Sequence, residues 1–331
     1  MQRRLSGVEA LWWADGRYPF HFSLTAGFKG CLSLEQLRAA LAKVRQKHPI
    51  LAIRIFIAED QTCWCTSDNV ADFLIRIIPH ASGDQWMREI EADYDNLFPA
   101  DSGPLVRFIL LQQSDMTDLV LMFNHSLYDG LSVYYVLRDI MYYLAQPDAL
   151  AEPAPPISGI SDLIPEGVIA ALAQRSPHSD PPAPRLPQPV LLAIGATENP
   201  QLRVFSWALT EAQTTALIER CRSERTSVHA AICAAFMFAF ANLKIGHEST
   251  VRTLATAVNL RARLKEPVGE ALGLLIESAA LCKLDCPPER AFWDAAREFK
   301  AQLTDKISDE VVFAGLIGRS ICRQAHPIRL S

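Results

Sequence analysis

The sequence predicts an α/β protein made of two domains, with helices and strands arranged in layers. The first half alternates apolar runs of strand length with segments whose apolar residues recur every three or four positions, and the second half repeats this alternation. A chain of 331 residues, half of them hydrophobic, is long enough for two domains with cores of their own. A proline-rich stretch lies between the halves. These observations together predict two domains joined by a linker.

The proline-rich stretch sets the predicted boundaries. Over half of the chain's 21 prolines lie in residues 146–190. Because proline is excluded from helix interiors and central strands, this stretch is predicted to be a crossover linker, with one short helix near residues 167–173. The predicted division is therefore an N-terminal domain over 1–145, the linker over 146–190 and a C-terminal domain over 191–331.

Apolar periodicity and capping residues predict the elements of each half. In the first half these are a helix over 32–47 that Ser33 can cap, strands over 50–57 and Cys63–Thr66 that can pair, a helix over 86–97, neighbouring strands over 105–112 and 119–125, and a helix over 131–144. In the second half they are a strand over 202–209, a helix from the Thr210 cap to about residue 223, a buried apolar helix over 227–243, strands over 250–258 and 272–282, and a helix from Pro287 to about residue 306.

Charge and composition exclude several classes of function. Lys and Arg number 32 against 37 acidic residues, a net charge of −5, and no long basic tract occurs, so nucleic acid is not an expected partner. The most apolar segment, residues 228–243, is shorter than the ~20 residues of a membrane span and contains His229 and Asn242. The basic N-terminus is not followed by the apolar core of a signal peptide, which predicts a cytoplasmic protein.

No sequence motif predicts a metal or a bound cofactor. The eight cysteines lack the paired spacings of a zinc site and are expected to be reduced thiols. The sequence also lacks the Gly-x-Ser-x-Gly elbow and the phosphate-binding glycine loops. Serine hydrolysis, nucleotide hydrolysis and hydride transfer therefore have no support.

A histidine loop is the main candidate site. The apolar run 118–124 leads into His125, and Asp129 and Gly130 follow directly before the helical pattern over 131–144. This order predicts a strand, a loop that presents an imidazole, and a helix; Gly130 suits a sharp turn or a close backbone approach. Histidine can accept a proton near neutral pH, so His125 is a candidate general base.

The histidine and aspartate spacing alone is a weak signal, because His80 and Asp84 repeat it. There no glycine follows the aspartate, and Ser82 or Asp84 can cap the next helix. We therefore interpret His80 as structural. A carboxylate such as Asp129 is costly to bury unless it is paired, so Asp129 is expected to hold the loop through a cation elsewhere in the chain.

The sequence Asn124-His125-Ser126-Leu127-Tyr128-Asp129-Gly130 resembles the His-His-x-x-x-Asp-Gly signature of the chloramphenicol acetyltransferase superfamily, which also includes BAHD, alcohol and polyketide-associated acyltransferases and peptide-synthetase condensation domains. Asn124 replaces the first histidine. Four other stretches resemble the family, in the family's order: 32–38, 48–51, 103–107 and 258–263.

The resemblance implies two similar lobes with a tunnel between them and His125 at its middle. It implies that Asp129 and Gly130 are structural and that Asp129 pairs with Arg261 from the second lobe, although Arg261 could equally be a surface residue. Asn124, Ser126 and Tyr128 could line the pocket. The family's Asp-Phe-Gly-Trp-Gly-like segment and closing strands have no counterpart in this sequence, so the second lobe is expected to be truncated.

The activity implied is transfer of an acyl group from a coenzyme A thioester, a co-substrate and not a bound cofactor, to a hydroxyl (or amine) of a small secondary metabolite, with His125 as base. Two alternatives stay open. One is a condensation-type enzyme that takes its thioester from an acyl carrier protein, and the other is a non-catalytic binding module with the same fold.

Overall fold

The structure is a computed structural model that describes residues 2–13, 16, 19–60, 62–99, 101–155, 157–174, 202–243 and 250–325. Its strands are β1 (Gln2–Arg4), β2 (His21–Lys29), β3 (Arg54–Ile57), β4 (Cys63–Thr66), β5 (Leu74–Pro79), β6 (Val106–Gln112), β7 (Met116–Asn124), β8 (Val251–Asn259) and β9 (Ile276–Asp285). Its helices are α1 (Gly7–Trp13), α2 (Leu34–Lys47), α3 (Gln85–Asp93), α4 (Gly130–Ala145), α5 (Glu166–Gln174), α6 (Glu211–Ser223), α7 (Val228–Asn242), α8 (Phe292–Lys306) and α9 (Asp309–Ala325).

The first half is built around a four-stranded sheet with the order β2-β7-β6-β5. The β2–β7 and β7–β6 pairs are antiparallel, whereas β5 and β6 are parallel and are connected through α3. Nearly every residue of β6 and β7 is buried. Burial on both faces of a sheet requires the continuous apolar runs that the sequence has at these positions. The strand that leads into His125 is therefore a central, rigid element.

A smaller sheet, β1-β4-β3, completes the first half. The predicted pairing of β4 with the strand after residue 50 is confirmed, in antiparallel register. The predicted start of that strand is wrong, because Pro49–Leu51 forms a 3₁₀ turn and β3 begins only at Arg54. Proline is well suited to the first position of such a turn, since its φ is already fixed and it needs no hydrogen-bond acceptor.

In the second half, β8 and β9 form an antiparallel pair on which three helices pack. Helices α7 and α8 contact each other and the pair, and α9 contacts β9. Helix α1, although it belongs to the first half of the sequence, also contacts α9. The two halves therefore interlock through the N-terminal helix. The predicted α+β layer architecture is confirmed, while the division at residues 146–190 stays a prediction, since much of that stretch lies outside the described residues.

The predicted strand over 202–209 is wrong. This segment is neither helix nor strand, and no strand pairs with it in the part of the chain that the structure describes. Phe205 and Trp207 are exposed, and the N–H of Val204 donates to Glu91 Oε1 of α3 at 2.7 Å. Alternating apolar residues predict a strand only if a neighbouring strand supplies hydrogen-bond partners, and sequence alternation does not say whether one is present.

Helix α7 is less buried than predicted. Ala230, Ala234 and Met237 lie in the core, whereas Phe236 and Phe240 are 43% and 47% exposed. A helix that is apolar on every side buries only the faces that have neighbours, and α7 has them in α8 and β8. Within the described residues, no helix is both long enough and apolar enough to cross a bilayer.

Other predicted boundaries differ by a few residues. The capping boxes at Ser33 and Thr210 are present, and the two helices that they begin end as predicted. Helix α3 ends at Asp93 and not at residue 97, β9 begins at Ile276 and not at residue 272, and α8 begins at Phe292 and not at Pro287. The helices that begin with a capping box are thus predicted well, whereas the boundaries inferred from apolar periodicity or from Pro287 are off by several residues.

Candidate functional site

The loop between β7 and α4 is held in shape by its own polar side chains. Asn124 Oδ1 accepts hydrogen bonds from the N–H of Ser126, at 3.0 Å, and from the Ser126 hydroxyl. Asp129 is the N-cap of α4 and accepts from the N–H of Ser132 at 2.9 Å. The N–H of His125 donates to the carbonyl of Phe20, which leads into β2, at 2.7 Å. Both ends of the loop are therefore fixed to regular structure.

The hydrogen bond of the His125 ring decides which nitrogen can act as a base. Nδ1 lies 2.9 Å from the carbonyl oxygen of Tyr128. Because a carbonyl oxygen only accepts, Nδ1 must carry the proton in the neutral ring, and Nε2 keeps its lone pair. Among the described residues Nε2 has no hydrogen-bond partner. The loop therefore presents an imidazole in the tautomer that can accept a proton at Nε2.

Aromatic rings surround this imidazole. The centroid of the His125 ring lies 4.4 Å from that of Phe22 and 4.8 Å from that of Trp12. Burial lowers the pKa of His125 below its usual value, and its two backbone hydrogen bonds and the charge of Asp129 oppose this effect without cancelling it. At neutral pH the ring is therefore uncharged and able to accept a proton.

Asp129 does not contact the imidazole but pairs with Arg261 across the two halves. Arg261 Nη1 lies 2.7 Å from Asp129 Oδ2, and Nη2 lies 3.0 Å from Oδ1. Asp129 is 0% exposed and Arg261 is 8% exposed. The expected ion pair is thus present, in the bidentate geometry that a guanidinium and a carboxylate favour.

Further bonds join the same carboxylate to the second half. The N–H of Leu275 donates to Asp129 Oδ2 at 3.1 Å, and the N–H of Gly273 donates to the hydroxyl oxygen of Ser132 at 3.0 Å. Arg261 Nη2 also donates to that hydroxyl oxygen and to the carbonyl of Ala271, each at 3.2 Å. The aspartate therefore connects the histidine loop to the loop that precedes β9.

None of the three side chains expected to line a pocket is exposed to solvent. Asn124, Ser126 and Tyr128 are buried, and the Tyr128 hydroxyl donates to the carbonyl of Ile50 at 2.8 Å. A role in a pocket wall stays a prediction for all three. Gly130 has no positive φ, and a Cβ atom there would meet no described atom within 4 Å, so the expected sharp turn or close approach is not what this glycine provides.

The second histidine with the same spacing lies in a different environment, and its structural role stays a prediction. His80 is buried, and its Nε2 lies 2.9 Å from Oδ2 of Asp118 on β7. Asp84 lies at the predicted N-cap position of α3, which begins at Gln85, but its side chain makes no capping bond to the helix. Its carboxylate accepts instead from the hydroxyl of Ser82 at 2.7 Å and pairs with Arg88.

Sequence reasoning missed three groups at the site: the Trp12 ring, the Phe22 ring and the Tyr128 carbonyl. The Tyr128 contact is local, but a backbone oxygen leaves no trace in residue identity. The two rings reach His125 from more than 100 positions away along the chain, and no spacing rule connects them. A short helix with two adjacent tryptophans near the N-terminus is the one signal that could have directed attention to Trp12.

One cavity lies at the junction of the two halves, behind the loop. It is open to the surface, and its volume is only about 20 Å³. Its walls are His48, Pro49, Ile50, Ala154, Pro155, Ile157, Ala271 and Leu272. None of these belongs to the β7–α4 loop, so this cavity is not the expected tunnel, which stays a prediction. No cluster of three or more metal-ligating side chains occurs in the described ranges.

Comparison with known proteins identifies the fold. Residues 198–325 match the family model of the C-terminal part of phthiocerol/phthiodiolone dimycocerosyl transferase. Polyketide synthase associated protein 5 from Mycobacterium tuberculosis superposes with a TM-score of 0.64 at 21% identity, over 96% of this chain and 75% of the other. This protein has the chloramphenicol acetyltransferase-like fold. No curated protein matches its sequence.

Two further solved structures share this fold. The TRI3 trichothecene 15-O-acetyltransferase from Fusarium sporotrichioides has a TM-score of 0.69 at 14% identity, over 99% of this chain and 77% of the other. The first condensation domain of the calcium-dependent antibiotic synthetase has a TM-score of 0.66 at 16% identity, over 97% of this chain and 75% of the other. The chloramphenicol acetyltransferase-like fold thus occurs in both acyltransferases and condensation domains, so it does not itself select an acyl donor.

Proposed function

We propose that the protein is an acyltransferase that moves an acyl group from a coenzyme A thioester to a hydroxyl group of a small metabolite, with His125 as the general base. The observation that carries this proposal is the hydrogen bond from His125 Nδ1 to the Tyr128 carbonyl, which leaves the lone pair on Nε2. The fold, shared with an acetyltransferase and with condensation domains, supports the same reaction class.

In the proposed reaction, Nε2 of His125 removes the proton of the acceptor hydroxyl while the oxygen attacks the thioester carbonyl carbon. The tetrahedral intermediate then collapses, the carbon–sulfur bond breaks, and the imidazolium returns the proton to the leaving thiolate. The products are an ester and the free thiol. Because burial disfavours a charged imidazole, the proton is held only briefly and is passed on.

A condensation-type enzyme that uses a carrier-bound thioester is the second candidate. It needs the same base and the same proton transfers, and it differs in the donor, which would be delivered by a carrier protein. The likeness to the first condensation domain of the calcium-dependent antibiotic synthetase favours this candidate. Both candidates predict a proton acceptor at Nε2, so only the donor separates them.

An assay of thiol release tests the proposal and separates the two donors. We expect release of free coenzyme A from short or long acyl-CoA only when an alcohol is present, with the matching ester detected by mass spectrometry. Thiol release from an acyl carrier protein, but not from acyl-CoA, would instead support the condensation-type enzyme. Rates equal to buffer with both donors, across a broad panel of alcohols and amines, would contradict acyl transfer and leave a non-catalytic binding module.

A further inference from the structure

The ring of Trp12 brings the N-terminal helix α1 into contact with the candidate base. Trp12 lies on α1, and its ring centroid is 4.8 Å from that of His125, with the ring planes tilted by 49°. Among the described residues, the Phe22 ring of β2 is the second aromatic neighbour of the imidazole, at 4.4 Å. Trp12 also contacts the ring of Phe20, at 5.7 Å. The imidazole therefore has one aromatic neighbour from the first-half sheet and one from α1.

Trp12 is itself anchored on the second half of the protein. It packs against a buried group of side chains that we call the junction cluster, formed by Val8, Ile160, Ile164, Val258, Leu260, Leu274, Leu275, Ala280, Val312, Phe313 and Leu316. Most of these residues come from β8, α9 and the segment around the start of β9. The neighbouring residue on α1, Trp13, instead belongs to the first-half core. The two tryptophans thus tie α1 to different halves.

We propose that Trp12 is a positioning residue for His125: anchored by the junction cluster, it holds the imidazole against Phe22 and keeps water from it. This inference rests on the proposed role of His125 as a base. In this arrangement, the second half of the protein sets the environment of the base through a residue near the N-terminus. Docking of the two halves would then control both the orientation of the ring and its ability to accept a proton.

The charged groups described near the ring do not explain the lowered pKa of His125. On α1 the one carboxylate, Glu9, is paired with Arg3 at 2.7 Å. On β2, Lys29 lies at the far end of the strand, and the His21 ring packs against Phe98. In the loop, Asp129 favours the protonated imidazole, so the lowered pKa of His125 comes from burial.

The test is the pKa of His125 in variants of Trp12, measured by NMR on the full chain and assigned by comparison with His125→Ala. In Trp12→Ala, water reaches the ring, and we expect the pKa to rise from its lowered value toward the ~6.5 of an exposed histidine. Trp12→Phe, which keeps an aromatic ring, should stay closer to the wild-type value. If Trp12→Ala does not fold, Trp12→Leu, whose smaller side chain leaves part of the imidazole open to water, should raise the pKa by a smaller amount.

Trp13→Phe is the matched control, since it alters a buried tryptophan of the same helix that does not contact the imidazole. It should lower the melting temperature without moving the pKa of His125. Where activity is measurable, the acid limb of kcat/KM should move with the NMR value in each variant. An unchanged His125 pKa in both Trp12→Ala and Trp12→Leu would overturn the proposal. Because the NMR measurement needs no substrate, this result is distinct from a failure of acyl transfer.

Discussion

Replacing His125 by alanine should lower the rate of acyl transfer by about 10²–10⁴-fold, the usual contribution of a positioned general base. The variant lacks the one group in the loop that can accept the proton of the acceptor hydroxyl at neutral pH. The loop itself should persist, because its shape depends on Asn124, Ser126 and Asp129 and on the contact of residue 125 with Phe20 through the backbone. The measurement is kcat/KM for the active donor and acceptor pair, with circular dichroism to confirm folding.

His80→Asn is the matched control for this experiment. His80 has the same spacing to an aspartate, and its Nε2 contacts Asp118. Asparagine lacks the distal ring nitrogen that contacts Asp118, so this variant should lose some stability while retaining near wild-type activity. If His125→Ala were as active as His80→Asn, His125 would not be the base and the proposed mechanism would be wrong.

Replacing Asp129 by asparagine should destabilise the protein by about 3–5 kcal/mol, as expected when one partner of a buried ion pair is removed. Arg261 would keep its charge at a buried position without a compensating carboxylate, and the N–H of Leu275 would lose a charged acceptor. Because this carboxylate also joins the histidine loop to the second half, activity should fall together with stability. Urea denaturation gives the free energy of unfolding of wild type and variant.

The control for this prediction is Asp84→Asn, which removes an exposed carboxylate whose partners among the described residues belong to its own turn and helix. Its unfolding midpoint should stay close to that of wild type. The double variant Asp129→Asn, Arg261→Gln should be more stable than the sum of the two single changes predicts, since each single change leaves a buried group unpaired. Equal midpoints for Asp129→Asn and Asp84→Asn would contradict the role assigned to the pair.

The parts of the fold that the sequence predicts correctly are those determined by neighbouring residues. The apolar run before His125, the Asp-Gly that follows, and the capping residues Ser33 and Thr210 each act within a few positions, so their elements could be placed from the sequence. The segment 202–209 shows the limit of this reasoning. Its alternation is that of a strand, but strand formation depends on a neighbour that local sequence does not specify.

The candidate site, like the fold, could be predicted only in part from the sequence. His125 and its loop follow from local order, whereas the pairing of Asp129 with Arg261, 132 positions apart, was expected only from resemblance to a family. Trp12 and Phe22 could not be placed at all, since a contact between rings distant in sequence depends on how the two halves dock. The aromatic residues that pack against His125 could thus be identified only from the structure.

The tautomer of His125 tests the central claim most directly, and long-range ¹H–¹⁵N NMR of the labelled protein can measure it without any substrate. Above the pKa of the ring, we predict a protonated Nδ1 and an unprotonated Nε2, with a pKa below that of an exposed histidine. The His125→Ala spectrum assigns the signals. A ring protonated at Nε2 and unprotonated at Nδ1 would contradict the account, because Nε2 would then have no lone pair with which to accept a proton.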